Sequence, residues 1–332
     1  MANRADKVHL ERLSYVIYEH PDPNAFLLFA DDFGFELAGS SMKDNSEFFL
    51  RGYGVDPYLY IGRQAPSGEG KRFIGAGFRA RTSEDFDKAT KLDGAQVTDL
   101  SGMRPGAGKL VTLKDVNGYD MQIVFDQEER PHPARGVSNV TGGNPNSNGA
   151  VAKDRLGEGV FNRMGSGPAK IHKLGHFGYM TDNYKGTCDW YTSRFNFVAS
   201  DVVVKPGEPD HELMSFFHVD LGKEYSDHHC FLVAGHHGSG KGTSVHHSSF
   251  EVEDLDTQMM GHKWLEEKGY KLMWGVGRHI MGSQIFDYWW DPSGFIVEHY
   301  ADGDVVNEDI PTVRSAGTAA AIWGPPMPTK WD

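Results

Sequence analysis

The sequence predicts an α+β fold built as two tandem halves. Short runs that alternate apolar and polar residues are broken by stretches with helical spacing, and this order restarts at Ile171. Between the two, residues 127–168 shift to Gly, Asn, Pro and Ser around GVSNVTGGNPNSNGA, too polar to build a core. The expected division is a first domain at 8–130, a linker at 131–168, a second domain at 169–300 and a tail at 301–332.

Val8 to Tyr18, with Leu10, Leu13, Val16 and Ile17, reads as a strand closed by the turn-prone His20-Pro21-Asp22. Asp22 is placed to cap a helix with Pro23 at its first position. Phe26, Leu27, Phe29, Ala30 and Phe33 form its apolar stripe, and Gly34 ends it. SEFFLRGY, YLYIGRQA and RFIGAGFRA follow as strands, Glu84 to Leu92 as a helix, and KLVTLKDVNGYDMQIVFD as a hairpin turning at Asn117-Gly118. In the second half Leu174-Gly175-His176 answers to Leu13-Ser14-Tyr15, Phe250-Glu251-Val252 to Phe78-Arg79-Ala80, and Ser293-Gly294-Phe295 to Asn117-Gly118-Tyr119. Glu253-Asp254-Leu255-Asp256 answers to Glu84-Asp85-Phe86-Asp87 only across a gap of three residues. In this register Tyr15 stands for His176 and Gln122 for Glu298, and no residue from Gly75 to Phe78 can bind a metal.

A net charge of -13 over 332 residues argues against a nucleic-acid partner. The opening MANRADKVHLERL has no apolar core of a signal peptide, and no run approaches the roughly 18 apolar residues of a spanning helix. A soluble cytoplasmic protein without a membrane partner is expected. Cys188 and Cys230 are too few for a disulfide scaffold, so the Asn139-Val140-Thr141 sequon is expected to stay unglycosylated.

Gly235-His236-His237-Gly238-Ser239-Gly240-Lys241-Gly242-Thr243 comes close to a phosphate-binding loop, but that chemistry needs a helix immediately after it. Ser244 to Val252 alternates with β-branched residues instead, which predicts a glycine-rich hairpin loop. GAGF near Gly75 lacks the third glycine and the following helix of a dinucleotide site.

The chemistry concentrates on TSVHHSSFEVEDLD, a strand that hands over to a helix at Asp254. One of its adjacent histidines, His246 or His247, must face inward. His176 in KLGHFGYM and Glu298 in PSGFIVEHY sit at similar strand positions. Two imidazoles and one carboxylate from three strands are the ligand set of a facial triad, which leaves half of an octahedral metal open.

Counting back, Tyr288 and His279 precede Glu298 by ten and nineteen residues, and His229 precedes His247 by eighteen. With GHF, HHSSFEV, GRH and DPSGFIVEHY, these spacings resemble the type I extradiol ring-cleavage dioxygenases of the vicinal oxygen chelate superfamily. The resemblance implies two vicinal oxygen chelate domains, each a pair of βαβββ modules forming an open incomplete barrel. It further implies that His176, His247 and Glu298 bind Fe(II), with Mn(II) as an alternative, and that O2 is co-substrate with a small aromatic diol. His229 would be the acid-base residue, and His279 and Tyr288 donors toward substrate and oxygen. A homo-oligomer is expected. The stretch between His229 and His247 is a few residues longer than usual, and Met281 stands where some relatives carry a polar side chain.

The other histidines, namely His172, His211, His218, His228, His236, His237, His246, His262 and His299, read as ordinary core or surface residues. Trp190, Tyr191, Phe195, Trp264 and Leu265 read as core, and Trp289 and Trp290 as facing opposite sides of a strand. Arg278 is a candidate for gripping a substrate carboxylate or a surface ion pair. The tail has no clear period; its stiff WGPPMP run is expected to cap the pocket or to pack on a neighbouring subunit. Two competing functions share the scaffold. A glyoxalase-like isomerase or thiol transferase would not need His229, His279 and Tyr288 together, and a metal-free binding protein would need no triad.

Overall fold

The structure, a computed structural model, describes residues 6–40, 46–131, 165–236, 240–317 and 320–328. The expected linker lies outside them except at its ends, as does the Asn139 sequon. Among the described residues no helix is long and apolar enough to cross a membrane.

The first half is a pair of βαβββ units. They are β1 (Leu10–His20), α1 (Pro23–Phe33), β2 (Glu36–Ser40), β3 (Glu47–Arg51) and β4 (Tyr60–Gln64), then β5 (Arg72–Ala80), α2 (Ser83–Ala89), β6 (Gln96–Asp99), β7 (Lys109–Lys114) and β8 (Asp120–Phe125). The second half repeats the order. It runs β9 (Ile171–Thr181), α3 (Tyr184–Arg194), β10 (Phe197–Lys205), β11 (Glu208–Val219), a short β12 (Ser226–Asp227) and β13 (Phe231–Gly235). Its second unit is β14 (Thr243–Val252), α4 (Leu255–Glu267), β15 (Lys271–His279), β16 (Ile285–Trp290) and β17 (Ile296–Ala301), and the tail adds β18 (Val305–Val306), β19 (Val313–Ala316) and β20 (Ala321–Trp323).

Each half makes its own large sheet, in the orders β2-β3-β4-β1-β5-β8-β7-β6 and β19-β10-β11-β13-β9-β14-β17-β16-β15-β20. The antiparallel seams β1–β5 and β9–β14 join the two units of each half. The first sheet does not close on itself, so β2 and β6 are its edges. In the second, tail strands cover both edges, β19 parallel to β10 and β20 antiparallel to β15.

Local chemistry explains the elements. Asp22 Oδ1 accepts the Ala25 N–H at 3.0 Å, Pro23 opens α1, and Gly34 at φ 104° supplies the left-handed stop. Phe26, Phe29, Ala30 and Phe33 are buried. Tyr191, Phe195 and Leu265 are core, whereas Trp190 and Trp264 are only half-buried. Trp289 is fully buried and Trp290 is not, as two adjacent strand residues should be.

Four expectations change. β2 and β6 are absent from the sequence reading because both are short and largely solvated, with no buried alternation to see. RFIGAGFRA consequently begins the second unit of the first half rather than ending the first. Thr82 and Asp254 cap α2 and α4 through the Asp85 and Thr257 N–H groups, each two residues beyond the matched Ala80 and Val252. No three-residue gap is therefore needed, and the likeness of the acidic runs is only compositional. The Gly235–Gly242 segment is not a hairpin loop, because β13 and β14 pair with opposite sides of β9. Residues 237–239 of it lie outside the described residues, and β14 rather than a helix follows it.

Strand pairing gives the repeat its register. Tyr15 lies opposite Gly77, Gly77 opposite Gln122 and Gln122 opposite Thr112; in the second half the matching row is His176, Ser249, Glu298 and Tyr288. Both seams also carry a β-bulge at the same place, where one residue, Ile74 or His246, has no partner. The halves interlock through their matching turns. Asp115 accepts the Asn117 and Tyr119 N–H groups with one oxygen and, with the other, the hydroxyls of Tyr179 at 2.6 Å and Tyr191 at 3.1 Å from the second half. Its counterpart Asp291 accepts the Phe295 N–H and faces His20 of the first half at 4.0 Å.

Candidate metal centre and active-site cavity

β9, β14 and β17 are neighbours at the middle of the second sheet, so side chains pointing inward from them converge. His176, His247 and Glu298 do so, at 2 %, 3 % and 0 % exposure. His176 Nε2 lies 2.9 Å from His247 Nε2, and Glu298 Oε2 lies 3.2 and 3.3 Å from the two nitrogens. Three donors about 2.1 Å from one ion and at right angles to each other would stand about 3.0 Å apart. The buried Glu298 oxygens make no hydrogen bond of proper geometry among the described residues, which fits a carboxylate arranged for a cation. Burial pushes the His176 imidazole down to about 4. Burial alone would raise the Glu298 carboxyl, but the two imidazoles together outweigh it and hold it well below the usual range. His176 is thus ready to bind as a neutral imidazole and Glu298 as a carboxylate.

The matched place in the first half is filled instead. Tyr15 donates its hydroxyl to Gln122 Oε1 at 2.6 Å. A Cβ at Gly77 would meet the Tyr15 ring at 2.2 Å, and one at Gly75 would collide with the Asp120 carbonyl.

A cavity of about 430 Å³ opens beside the triad. His229, His279 and Tyr288 all line it. The His229 ring lies 4.1 Å from that of His176 and edge-on to Phe216. Burial first, then the nearby imidazoles, pushes His229 well below the ordinary histidine range, so it is neutral at neutral pH. His279 Nδ1 donates to the Ala320 carbonyl at 3.1 Å, so in the neutral ring Nε2 accepts from the Tyr288 hydroxyl at 2.8 Å. Burial holds His279 below and Tyr288 well above their usual values.

The rest of the lining is mainly apolar, with Met180, Met214, Phe216, Leu232, Trp274 and Met281 prominent. No lysine or arginine belongs to it among the described residues. Arg278 is turned away: it pairs with Asp302 Oδ2 at 2.7 Å and donates to the Ser283 carbonyl. The tail reaches the cavity through Gly317, Ala320 and Met327, and Trp274 Nε1 donates to the Pro325 carbonyl at 2.9 Å.

Sequence reasoning missed His246. Strand alternation would send it away from His247, yet the bulge turns it toward the same cavity, with its Nδ1 2.6 Å from His247 Nδ1. The only signal is structural, since its counterpart in the first half is the unremarkable Ile74. His228 was missed as well; it is core, but bonded directly to His229.

Known proteins share the fold and much of the sequence pattern. Residues 173–299 match the model of the Glyoxalase/Bleomycin resistance protein/Dioxygenase superfamily. Metapyrocatechase 2 of Cupriavidus necator is 25% identical over 323 residues, which is 95% of this chain and 89% of that protein. Homoprotocatechuate 2,3-dioxygenase from Brevibacterium fuscum, solved in complex with 3,4-dihydroxyphenylacetate, superposes with a TM-score of 0.75 at 16% identity over 100% of this chain and 94% of its own. The Mn(II)-bound glyoxalase from Novosphingobium aromaticivorans gives 0.71 at 20% identity, over 95% and 91%. Its second half thus matches the model of the Glyoxalase/Bleomycin resistance protein/Dioxygenase superfamily, and over nearly its whole length the chain is similar to a metapyrocatechase.

Proposed function

We propose that the protein is an Fe(II)-dependent extradiol dioxygenase that opens a catecholic ring beside its two hydroxyls, using O2. The observation that carries this is the buried triangle of His176, His247 and Glu298 facing a cavity that also holds His229, His279 and Tyr288. A bound divalent iron would hold the diol and O2 side by side and let electrons pass between them. Neutral His229 takes a proton from a substrate hydroxyl. Tyr288 turns its one hydroxyl hydrogen from His279 Nε2 toward charge developing on the substrate, while the Ala320 carbonyl keeps the His279 ring in place. The apolar walls exclude water, and the tail strands cover one flank of the cavity.

The substrate class follows from the lining. With methionines and aromatics, and no cation among the described residues beside it, the cavity suits a catechol bearing an apolar ring substituent rather than a carboxylate. The first half is read as a metal-free domain at 8–130 whose ligand place is taken by Tyr15 and Gln122, and the tail as a cover for the cavity.

Oxygen uptake by iron-loaded protein with alkyl-, aryl- and carboxymethyl-substituted catechols tests the reading. The apolar substrates are expected to give the higher kcat/KM, and His247→Ala to lose both metal and turnover. Retention of metal by that variant would overturn the ligand assignment, and a preference for the carboxymethyl compound would overturn the substrate class.

A further inference from the structure

His228 and His229 are adjacent and both buried, yet their rings stand at 88° with the two Nδ1 atoms 3.1 Å apart. On the far side of His228, Nε2 meets Asp201 Oδ2 at 2.8 Å. The His228 ring is held from several directions. A Cβ at Gly282 would stand 2.9 Å from its Nδ1, the His228 backbone N–H donates to the Asp304 carbonyl, and the backbone carbonyl accepts from Ser200 Oγ, next to Asp201 on β10. Nothing in the proposed reaction uses Asp201 or His228.

We propose that Asp201 and His228 are positioning residues that fix the tautomer of His229; this rests on the reading of His229 as the acid-base residue. A carboxylate oxygen only accepts, so the hydrogen between Asp201 and His228 sits on His228 Nε2. In the neutral ring His228 Nδ1 is then bare and can only accept. The hydrogen in the 3.1 Å contact therefore belongs to His229 Nδ1, and His229 Nε2 is left bare. That is the nitrogen not engaged by His228 on a ring that lines the cavity. A bare Nε2 can take a proton from a substrate hydroxyl, whereas the opposite tautomer would present an N–H to it and could not. The Nδ1–H tautomer of His229 is thus set two residues away in space, by a carboxylate on a different strand.

The tautomer can be read without turnover. In protein labelled with ¹⁵N-histidine and loaded with Zn(II), the ring nitrogens of His229, identified by their absence in His229→Gln, are expected to show Nδ1 protonated and Nε2 bare. Asp201→Asn, whose amide can donate to His228, is expected to give a mixture of tautomers. Asp201→Asn and His228→Phe are both expected to lower kcat by at least about tenfold while KM for catechol stays within about twofold. An Nε2–H tautomer in the unaltered protein overturns the proposal even if neither variant folds, as does wild-type kcat in both variants. Full turnover by His229→Gln would instead overturn the acid-base reading, leaving the measured tautomer as a separate result.

Discussion

At the scale of single residues, ligand and catalyst make different claims on the metal shell. His229 touches the His176 ring but offers no atom to the triangle of donors. His229→Gln is therefore expected to keep its iron and bind catechol while kcat falls by about 10²–10⁴. Metal analysis beside steady-state kinetics checks this, and loss of iron would make His229 structural. Tyr15→Phe breaks the bond to Gln122 in the other half and should leave the iron content unchanged; a drop in metal would mean that the two centres are coupled. The three candidate ligands were legible in the sequence because their strands are, each bounded by a turn or cap and each matched to a strand of the first half with another residue at the same place. His246 was not legible. Its inward turn comes from a bulge, and a one-residue slip in pairing leaves no trace in composition or period.

Among elements, the tail is the one the sequence described least. Val305–Val306, Val313–Ala316 and Ala321–Trp323 are too short and too exposed to show alternation; the last two are strands by pairing with the second large sheet, and the first by pairing with Ser226–Asp227 in a two-stranded sheet of its own. Two of them finish the edges of the catalytic sheet, and Ala320 holds His279 through its carbonyl. Truncation after Asp309 removes these contacts yet leaves β9, β14 and β17 whole. The shortened protein is expected to fold and bind iron, with a raised KM and faster inactivation during turnover. Unchanged kinetics and oxidative lifetime would show that the tail only completes the sheet. α1 was the opposite case: Asp22, Pro23 and Gly34 announce both of its ends, and its bounds came out as read.

For the molecule as a whole, stability carries a pH signature from the contact between halves. Burial pushes the Asp291 carboxyl up to about 7, against 3.8 for the free group. The folded protein then holds this proton more tightly than the unfolded chain. Its contribution is fully present below about pH 4 and is lost as pH rises toward 7. Asp291→Asn keeps an acceptor for the Phe295 N–H and removes the titration. Across that window the variant's urea midpoint should fall less than the wild type's. Burial pushes His20 down to about 3, which gives a slope of the opposite sign. Both proteins share it, so the difference between them isolates Asp291. Parallel curves would show that the Asp291 carboxyl does not shift on folding.

The reciprocal turn has a further consequence for how the chain tolerates change. Asp115 belongs to the half without the candidate triad, but it anchors Tyr179, which lies on β9 three residues beyond His176. A lesion at Asp115 would unseat the strand that carries a ligand without touching any atom near the cavity. A random screen for lost turnover should therefore recover alleles throughout the chemically silent half, concentrated at this turn. Conversely, a free duplicate of the catalytic half would be born without its anchor, which makes the silent partner a tenant that selection cannot evict.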